Sequence, residues 1–182
     1  MKTLKGFENS RYQKHDTIIR NIVLDFNQNK AARCGCTEDQ AAQIPILEDV
    51  LVKAWMIQES GGGDARSLAA WEVDPVQANV PGDWDDRKLE LGLKKPLIRN
   101  EGDVQTNLKA GIGLLCRKGF GKSGQPPSNR PDGTFDGWAT ALQRYNGRTD
   151  QRKNGKTYSQ NYSDTIILRS QSTDDHVPIE LP

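Results

Sequence analysis

Apolar residues recur at helical spacing in the first third of the chain. Isoleucine, valine and phenylalanine between residues 18 and 26 repeat every three or four positions, which predicts a helix with Asp16 as its N-cap. Residues 30–43 are small and polar and predict a connection. Pro45 suits the first turn of a second helix. The apolar stripe of that helix, from Ile46 to Trp55, is wide enough for packing on more than one side.

This second helix ends in Glu59-Ser60, and three glycines follow at 61–63. Glu59 comes four residues after Trp55 and eight after Leu51, so it continues the buried face. Burial and the negative end of the helix dipole both disfavour a charged carboxylate, and both therefore raise its pKa. A raised pKa suits a general acid, which must hold its proton near neutral pH. The alternative is that Glu59 is only the last polar residue before a glycine stop.

The long segment 61–99 is irregular and rich in Asp, Gly, Pro and Trp. It shows little period-two alternation, which argues against a large sheet, although a small β-hairpin fits near Trp71 to Asn79. A loop of this length inside a compact domain usually has a function. Trp71 and Trp84 fit two roles equally well, stacking on sugar rings or filling the core. The Gly- and Pro-rich segment 119–137 is either a surface loop or a loop that covers a substrate.

Two further helices and a short apolar element are predicted in the second half of the chain. Asp103 is the expected N-cap of the first, and Gly111 belongs to a slim stretch that permits close packing against the Glu59 helix. Asp136 is the expected cap of the next helix, over 138–144. The apolar element spans Tyr162 to Leu168.

Together these elements predict a mainly α domain built around one central helix. The chain has 182 residues, which fits one domain with a core that needs no disulfide or structural metal. We assign residues 1–44 to an N-terminal helix and connection within that domain. Residues 45–169 form the core, and residues 170–182 are predicted to be a C-terminal tail.

Charge and hydropathy limit the partners that the chain is expected to have. The net charge is +1, from 25 basic and 24 acidic residues, without a long basic block, so nucleic acid is not an expected partner. No stretch approaches the length of a membrane span. The N-terminus lacks the apolar core of a signal peptide. We therefore expect synthesis in a cytoplasm, with any delivery outside it by another route or by a signal that the given sequence lacks.

The cysteines and histidines do not form a metal or nucleophile motif. Cys116 can pair with Cys34 or Cys36 in an oxidising compartment, or all three thiols stay reduced, and the pattern leaves this open. The histidines, His15 and His176, lie near opposite ends of the chain in polar surroundings. The absence of a Ser/His or Cys/His pattern in the sequence argues against nucleophilic hydrolase chemistry.

An acidic run at Asp83, Asp85 and Asp86 invites comparison with a calcium loop. Such a loop needs glycine at its sixth position and glutamate at its twelfth, where this chain has Lys88 and Lys94. A solvated helix start is the better interpretation. We predict no metal and no cofactor.

The order of motifs resembles the lysozyme-like lytic transglycosylases and goose-type lysozymes, which cut peptidoglycan. The matching segments are the helix end Glu59-Ser60, the Asp-Pro-Val-Gln turn at 74–77, the Asn-Leu-Lys-Ala-Gly helix segment at 107–111, and the segment at 141–147 that contains Tyr-Asn-Gly. Tyr162 to Leu168 resembles the closing helix of that family. Two departures from the family pattern are the missing Gly-Leu-Met before Gln77 and the direct succession of Asn146 and Gly147. The version around residues 74–84 resembles domains of type VI secretion effectors and some phage enzymes.

The resemblance implies a lysozyme-like fold and cleavage between N-acetylmuramic acid and N-acetylglucosamine, with Glu59 as general acid/base. In a lytic transglycosylase this carboxyl protonates the glycosidic oxygen and then deprotonates the muramoyl 6-hydroxyl, which gives a 1,6-anhydro end. A hydrolytic muramidase or chitinase-like glycosidase that inverts needs a second carboxylate roughly 6.5–9.5 Å away to activate water. Asp74 is the first choice for it, ahead of Asp64 and Asp83. A turn cap before Pro75 is the competing interpretation of Asp74.

The resemblance also implies a set of substrate-binding residues. Gln77 and Asn79 are expected to hydrogen-bond acetamido groups or to orient the catalytic carboxyl. Tyr145 is matched to a tyrosine that reaches this carboxyl or the substrate, and Asn146 beside it holds the loop; without the resemblance, Tyr145 reads as a core residue. Ser60 either binds substrate or caps the helix break.

The biological role implied is that of an antibacterial effector, a toxin delivered by type VI secretion, or a phage lysin. It would act in the periplasm or cell wall of a target bacterium. The expected partners are peptidoglycan strands, a cognate immunity protein that covers the Glu59 cleft, and a component of the secretion apparatus. A catalytically inactive glycan-binding or structural module is the alternative outside the enzyme class.

Overall fold

The computed structural model describes residues 1–121, 131–150 and 154–174, and these are mainly helical, as the apolar pattern predicts. The helices are α1 (Asp16–Gln28), α2 (Lys30–Cys34), α3 (Glu38–Ala41), α4 (Asp49–Ser60), α5 (Ala65–Val73), α6 (Arg87–Glu90), α7 (Val104–Gly119), α8 (Trp138–Asn146) and α9 (Tyr158–Gln171). Two 3-10 turns, Ser10–Gln13 and Pro81–Asp83, accompany them. The strands β1 (Thr3–Leu4) and β2 (Thr173–Asp174) pair antiparallel.

Helix α4 is the central helix, since it packs against α1, α5 and α9 and is buried without interruption from Val52 to Ile57. It begins at Asp49 rather than at Pro45, so the predicted start was wrong. The reason is a pair of hydrogen bonds, 2.9 Å each, in which the Asn27 side chain binds both the N–H and the carbonyl of Leu47. These bonds hold Leu47 outside the helix.

The segments predicted to be irregular contain helices. Residues 30–43 include α2 and α3, and the long segment 61–99 includes α5 and α6. The hairpin expected near Trp71 was wrong, because Trp71 lies in α5. Asp64 caps that helix by accepting from two N–H groups of its first turn, at 3.0 Å each.

Helix α7 begins as predicted, with Asp103 accepting a hydrogen bond from the Thr106 N–H. Its slim middle approaches the segment after α5 more closely than it approaches α4. A Cβ placed on Gly111 would lie 2.5 Å from Val76 and 3.6 Å from the ring of Trp55. A disulfide between Cys34 and Cys116 joins α2 to α7, and Cys36 is free.

The C-terminal elements differ from the prediction at their ends. Asp136 does not cap α8, whose N-cap is Gly137; instead its carboxylate pairs with Arg144 at 2.7 Å. Helix α9 is longer than the predicted element over 162–168, because Thr157 starts it with a reciprocal capping box. Residues 170–174 of the predicted tail complete α9 and form β2. The remainder of that tail, and residues 122–130 of the predicted loop, lie outside the described residues.

Within the residues described, no helix combines the length and the apolar character that crossing a membrane requires.

Candidate active site

Glu59 lies in the last turn of α4, with its side chain mostly covered and partly open to solvent. Burial raises the pKa of its carboxyl to about 7, a hydrogen bond from Tyr162 opposes this rise, and the nearby charge of Asp74 adds to it. The helix ends directly after it, because the N–H of Gly61 closes the last turn on the Ile57 carbonyl at 2.9 Å. Because its pKa is about 7, the Glu59 carboxyl is present in both its protonated and its ionised form near neutral pH.

Tyr162 is a hydrogen-bonding neighbour of Glu59 that the sequence did not predict as a site residue. Its hydroxyl donates a hydrogen bond to Glu59 Oε1 from the second turn of α9. Glu59 Oε2 has no hydrogen-bond partner of this kind among the described residues. Burial and the Glu59 charge raise the pKa of Tyr162 far above its ordinary value, so Tyr162 stays a neutral donor. The signal in the sequence is a tyrosine four residues before Ile166, on the same buried helix face.

The turn over residues 74–79 is fastened to α4 and α8 by side chains. The Ser60 hydroxyl, which is buried, donates to the Pro75 carbonyl at 2.7 Å. The Tyr145 hydroxyl donates to the Val76 carbonyl at 2.9 Å, and its ring packs edge-on against Trp55. Burial raises the pKa of the Tyr145 hydroxyl well above its ordinary value, which keeps it neutral.

Gln77 joins this turn to the C-terminal end of α4. Its side-chain amide donates to the Glu59 backbone carbonyl at 2.9 Å. Its own backbone has φ = 54°, in the left-handed region that residues other than glycine rarely adopt. This contact is made to the Glu59 main chain, and the predicted role of orienting the catalytic carboxyl stays a prediction.

The carboxylate of Asp74 is held by backbone N–H groups of its own turn. One carboxylate oxygen accepts from the Ala78 N–H at 2.9 Å, and the other accepts from the Asn79 N–H at 2.8 Å. The side chain is buried, and burial raises its pKa. This is the turn-capping arrangement, and its charge still lies near enough to raise the pKa of Glu59.

The two predicted asparagines, Asn79 and Asn146, have different surroundings. Asn79 is buried, and its Oδ1 has no hydrogen-bond partner among the described residues. Asn146 ends α8, and its Oδ1 accepts from the Arg148 N–H at 3.3 Å, just after Gly147 in the left-handed conformation. The role of holding the loop, which the resemblance implies for Asn146, stays a prediction.

Three pockets, of about 300, 290 and 440 Å³, border the site and are here called the groove. Gln77 lines the first and second pockets, and Asn146 lines the second and third. Tyr145 lies in the wall of the second, and Tyr162 in the wall of the third. Neighbouring pockets therefore share wall residues, and two of the lining residues, Gln77 and Tyr162, bond to Glu59, which itself lines none of the three.

Trp71 and Trp84, the two tryptophans considered for stacking on sugar rings, differ in their burial. Trp71 is buried, its indole N–H donates to the Arg11 carbonyl at 3.1 Å, and its ring packs against Tyr12 and His15. The sequence predicted polar surroundings for His15, and this was wrong, because His15 is buried beside Trp71. Burial lowers the pKa of its imidazole. Trp71 therefore fills the core, and Trp84 is partly buried against it. His176 lies outside the described residues.

The acidic run at 83–86 is paired with neighbouring cations. Asp83 lies 3.3 Å from Lys88, and Asp85 lies 2.5 Å from Arg87. In the part of the chain that the structure describes, no group of three or more His, Cys, Asp or Glu side chains is arranged to hold a metal ion.

Comparison of the chain with protein-family models, with curated proteins and with solved structures finds no match. A functional assignment therefore depends on the chemistry of the site: one carboxyl with a pKa near neutrality, a tyrosine hydroxyl donating to it, and a polar groove alongside.

Proposed function

We propose that this protein is a peptidoglycan-cleaving enzyme of the lytic transglycosylase type, with Glu59 as its general acid/base. The observation that supports this best is the Glu59 carboxyl, whose pKa of about 7 lets one group donate and then accept a proton. The resemblance of the flanking motifs supplies the substrate class. The groove supplies room for a polymer, because its pockets follow one another instead of enclosing a single cavity.

The proposed reaction uses one carboxyl twice. Protonated Glu59 donates its proton to the oxygen between N-acetylmuramic acid and N-acetylglucosamine as the bond from that oxygen to C1 of the muramoyl residue breaks. The Glu59 carboxylate then takes the proton of the muramoyl 6-hydroxyl, and the oxygen of that hydroxyl bonds to C1. The products are a 1,6-anhydromuramoyl end and a free 4-hydroxyl, and no water is consumed.

The environment of Glu59 suits this double role. The Tyr162 hydroxyl fixes Oε1 and leaves Oε2 to act on the substrate. Gln77 and Ser60 hold the helix end and the adjoining turn in place through main-chain carbonyls. The outer pockets are lined by amides and hydroxyls, such as Ser67 in the first and Asn161 in the third, which suit sugar hydroxyl and acetamido groups.

The placement of Asp74 favours transglycosylation over inverting hydrolysis. Inverting hydrolysis needs a second carboxylate that is free to deprotonate a water. Both oxygens of Asp74 instead accept backbone N–H groups. A muramidase or chitinase-like reaction is therefore the second outcome of the test below, and a catalytically inactive glycan-binding module is the third.

The deciding experiment incubates purified sacculi with wild type, Glu59→Gln and Glu48→Gln, followed by mass spectrometry of the soluble products. Glu48 is the exposed N-cap residue at the opposite end of α4, so its variant controls for the loss of one glutamate carboxylate away from the site. We expect 1,6-anhydro ends from wild type and Glu48→Gln, and a loss of about 100-fold or more with Glu59→Gln. Reducing ends would indicate hydrolysis, and binding without any product would contradict both enzyme mechanisms.

An antibacterial role is proposed on the same basis, with an immunity protein that covers the groove as the matching partner. It is tested by directing the chain to the periplasm or leaving it in the cytoplasm of a bacterial host. Lysis is expected only in the periplasm and only with Glu59 intact. Equal toxicity from the cytoplasm would contradict a cell-wall target.

A further inference from the structure

The second pocket of the groove carries a positive charge that the proposed chemistry at Glu59 does not use. Five cationic side chains line it, against two carboxylates: Arg87, Lys88, Arg117, Lys118 and Arg144, with Asp83 and Asp85. They come from the loop before α6 and from α6, α7 and α8. The same pocket is bordered by Gln77 and Tyr145, so it lies next to the Glu59 cluster.

Lys118 differs from the other four cations, each of which has an anionic partner. Arg117 lies 2.9 Å from Glu90, and Arg144 lies 2.7 Å from Asp136. Arg87 and Lys88 pair with the two carboxylates of the pocket itself. Lys118 has no hydrogen-bonding or ion-pair partner among the described residues, and its side chain is partly buried.

The surroundings of Lys118 disfavour its charge. Burial lowers the pKa of its ammonium most, the nearby positive charges of Arg87 and Lys88 also lower it, and the charges of Asp83 and Asp85 oppose this. An ammonium in such a place is stabilised by an anion that enters the pocket and replaces lost hydration. A negatively charged ligand group would therefore complement the charge of this pocket.

We propose that the second pocket binds a carboxylate of the peptide attached to the glycan strand, with Lys118 as its principal contact. This rests on the proposed function, because only a peptidoglycan substrate brings such a carboxylate into the groove. The proposal makes peptide-bearing strands the preferred substrate over bare glycan and over chitin, which carries no carboxylate. Lys118 would thus determine specificity, while Glu59 performs the chemistry.

The binding test uses variants that do not turn over the ligand. Glu59→Gln, alone and combined with Lys118→Gln, Lys118→Arg or Lys109→Gln, is titrated calorimetrically with a soluble muramoyl tripeptide and with the same compound after amidation of its carboxylates. Lys109 is on the same helix, is more exposed, and lies 3.8 Å from Asp25 outside this pocket. We expect Lys118→Gln to weaken binding of the free acid by about tenfold or more, equivalent to one charge-assisted hydrogen bond.

The amidated ligand and the variants Lys118→Arg and Lys109→Gln serve as controls. The amidated compound should bind weakly to every variant, and Lys118→Arg and Lys109→Gln should retain the affinity of the Glu59→Gln background for the free acid. Equal affinity for the acid and the amide, or an unchanged affinity in Lys118→Gln, would overturn the proposal. Retained binding in Lys118→Arg guards against an effect of misfolding.

A cleavage assay in parallel separates this proposal from the proposed function. Enzyme with Glu59 intact is given intact sacculi and strands stripped of peptide by an amidase. Faster cleavage of intact strands, reduced toward the stripped rate by Lys118→Gln, supports the carboxylate site. Cleavage of both at equal rates overturns the carboxylate site alone, whereas cleavage of neither overturns the proposed function.

Discussion

The two largest influences on the pKa of Glu59 oppose each other. Burial disfavours the carboxylate, whereas the hydroxyl of Tyr162 donates to it and favours it. The first influence follows from the position of Glu59 on the buried face of α4, which the apolar spacing predicts. The second could not be predicted, because Tyr162 is 103 residues away in the sequence and only the packing of α9 on α4 brings it close.

Removing the Tyr162 hydroxyl should shift the pH profile upward. Tyr162→Phe deletes the bond that favours the charged form, so the pKa of Glu59 rises above about 7. The alkaline limb of kcat/KM, where protonated Glu59 is lost, should move to higher pH. Tyr145→Phe is the matched control, since its hydroxyl bonds to Val76 and not to Glu59. A shift to lower pH in Tyr162→Phe would contradict the assigned contact.

Glu59 should also make the stability of the protein depend on pH. Its pKa rises from 4.5 to about 7 on folding, so the folded state binds the proton more tightly. The stability associated with the protonated form is complete below pH 4.5 and is lost as pH rises through 7, by up to about 3 kcal/mol.

Denaturant unfolding of Glu59→Gln at pH 4 and pH 8 measures this effect. Glutamine stays neutral, so the variant should be more stable than wild type at pH 8 and similar at pH 4. Glu48→Gln, at the exposed end of the helix, should show no such divergence. A stability difference that does not change with pH would indicate that Glu59 is not held in a desolvated site.

At the level of elements, the turn over residues 74–79 connects the helices that form the site. It receives hydrogen bonds from Ser60 on α4 and Tyr145 on α8, and it packs against α7 at Gly111. Apolar spacing predicted the bodies of α1, α4 and α7. Apolar spacing did not predict the start of α4, where the Asn27 side chain hydrogen-bonds to the backbone of Leu47. Such a contact does not alter the spacing of apolar residues in the sequence.

Gly111→Ala tests the contact between α7 and this turn. The added Cβ would lie 2.5 Å from a Val76 methyl, so the turn must shift. We expect a loss of about 1–3 kcal/mol in the free energy of unfolding, as for overpacking, despite the higher helix propensity of alanine. Gly82→Ala is the control, because a Cβ added at Gly82 would have no other residue of the described structure within 4 Å beyond its chain neighbours. Equal stability of both variants would contradict tight packing at Gly111.

At the level of the whole molecule, the Cys34–Cys116 disulfide joins two parts of the chain 82 residues apart. The sequence left this pairing open, because Cys34 and Cys36 are near neighbours and only the fold distinguishes them. It places Cys34 against Cys116, with Cα atoms 5.7 Å apart, and leaves Cys36 as a half-buried thiol whose pKa burial raises.

Replacing Cys34 and Cys116 together by serine should lower the free energy of unfolding by about 4 kcal/mol, because the unfolded chain regains the entropy of an 82-residue loop. Cys36→Ser should change it little. The measurement is urea unfolding with and without a reductant. A wild type that is unaffected by reductant would contradict a structural disulfide.

The backbone of Gln77 has a consequence for how this chain would evolve. Holding a residue with a side chain at positive φ costs about 1–2 kcal/mol that glycine would not incur. Mutation under selection for stability alone would therefore drift toward glycine at position 77. The glutamine amide reaches the Glu59 carbonyl, which glycine cannot do. Gln77 thus marks a position where improving the fold and keeping the site call for different residues, so stability-guided redesign of this protein should leave it unchanged.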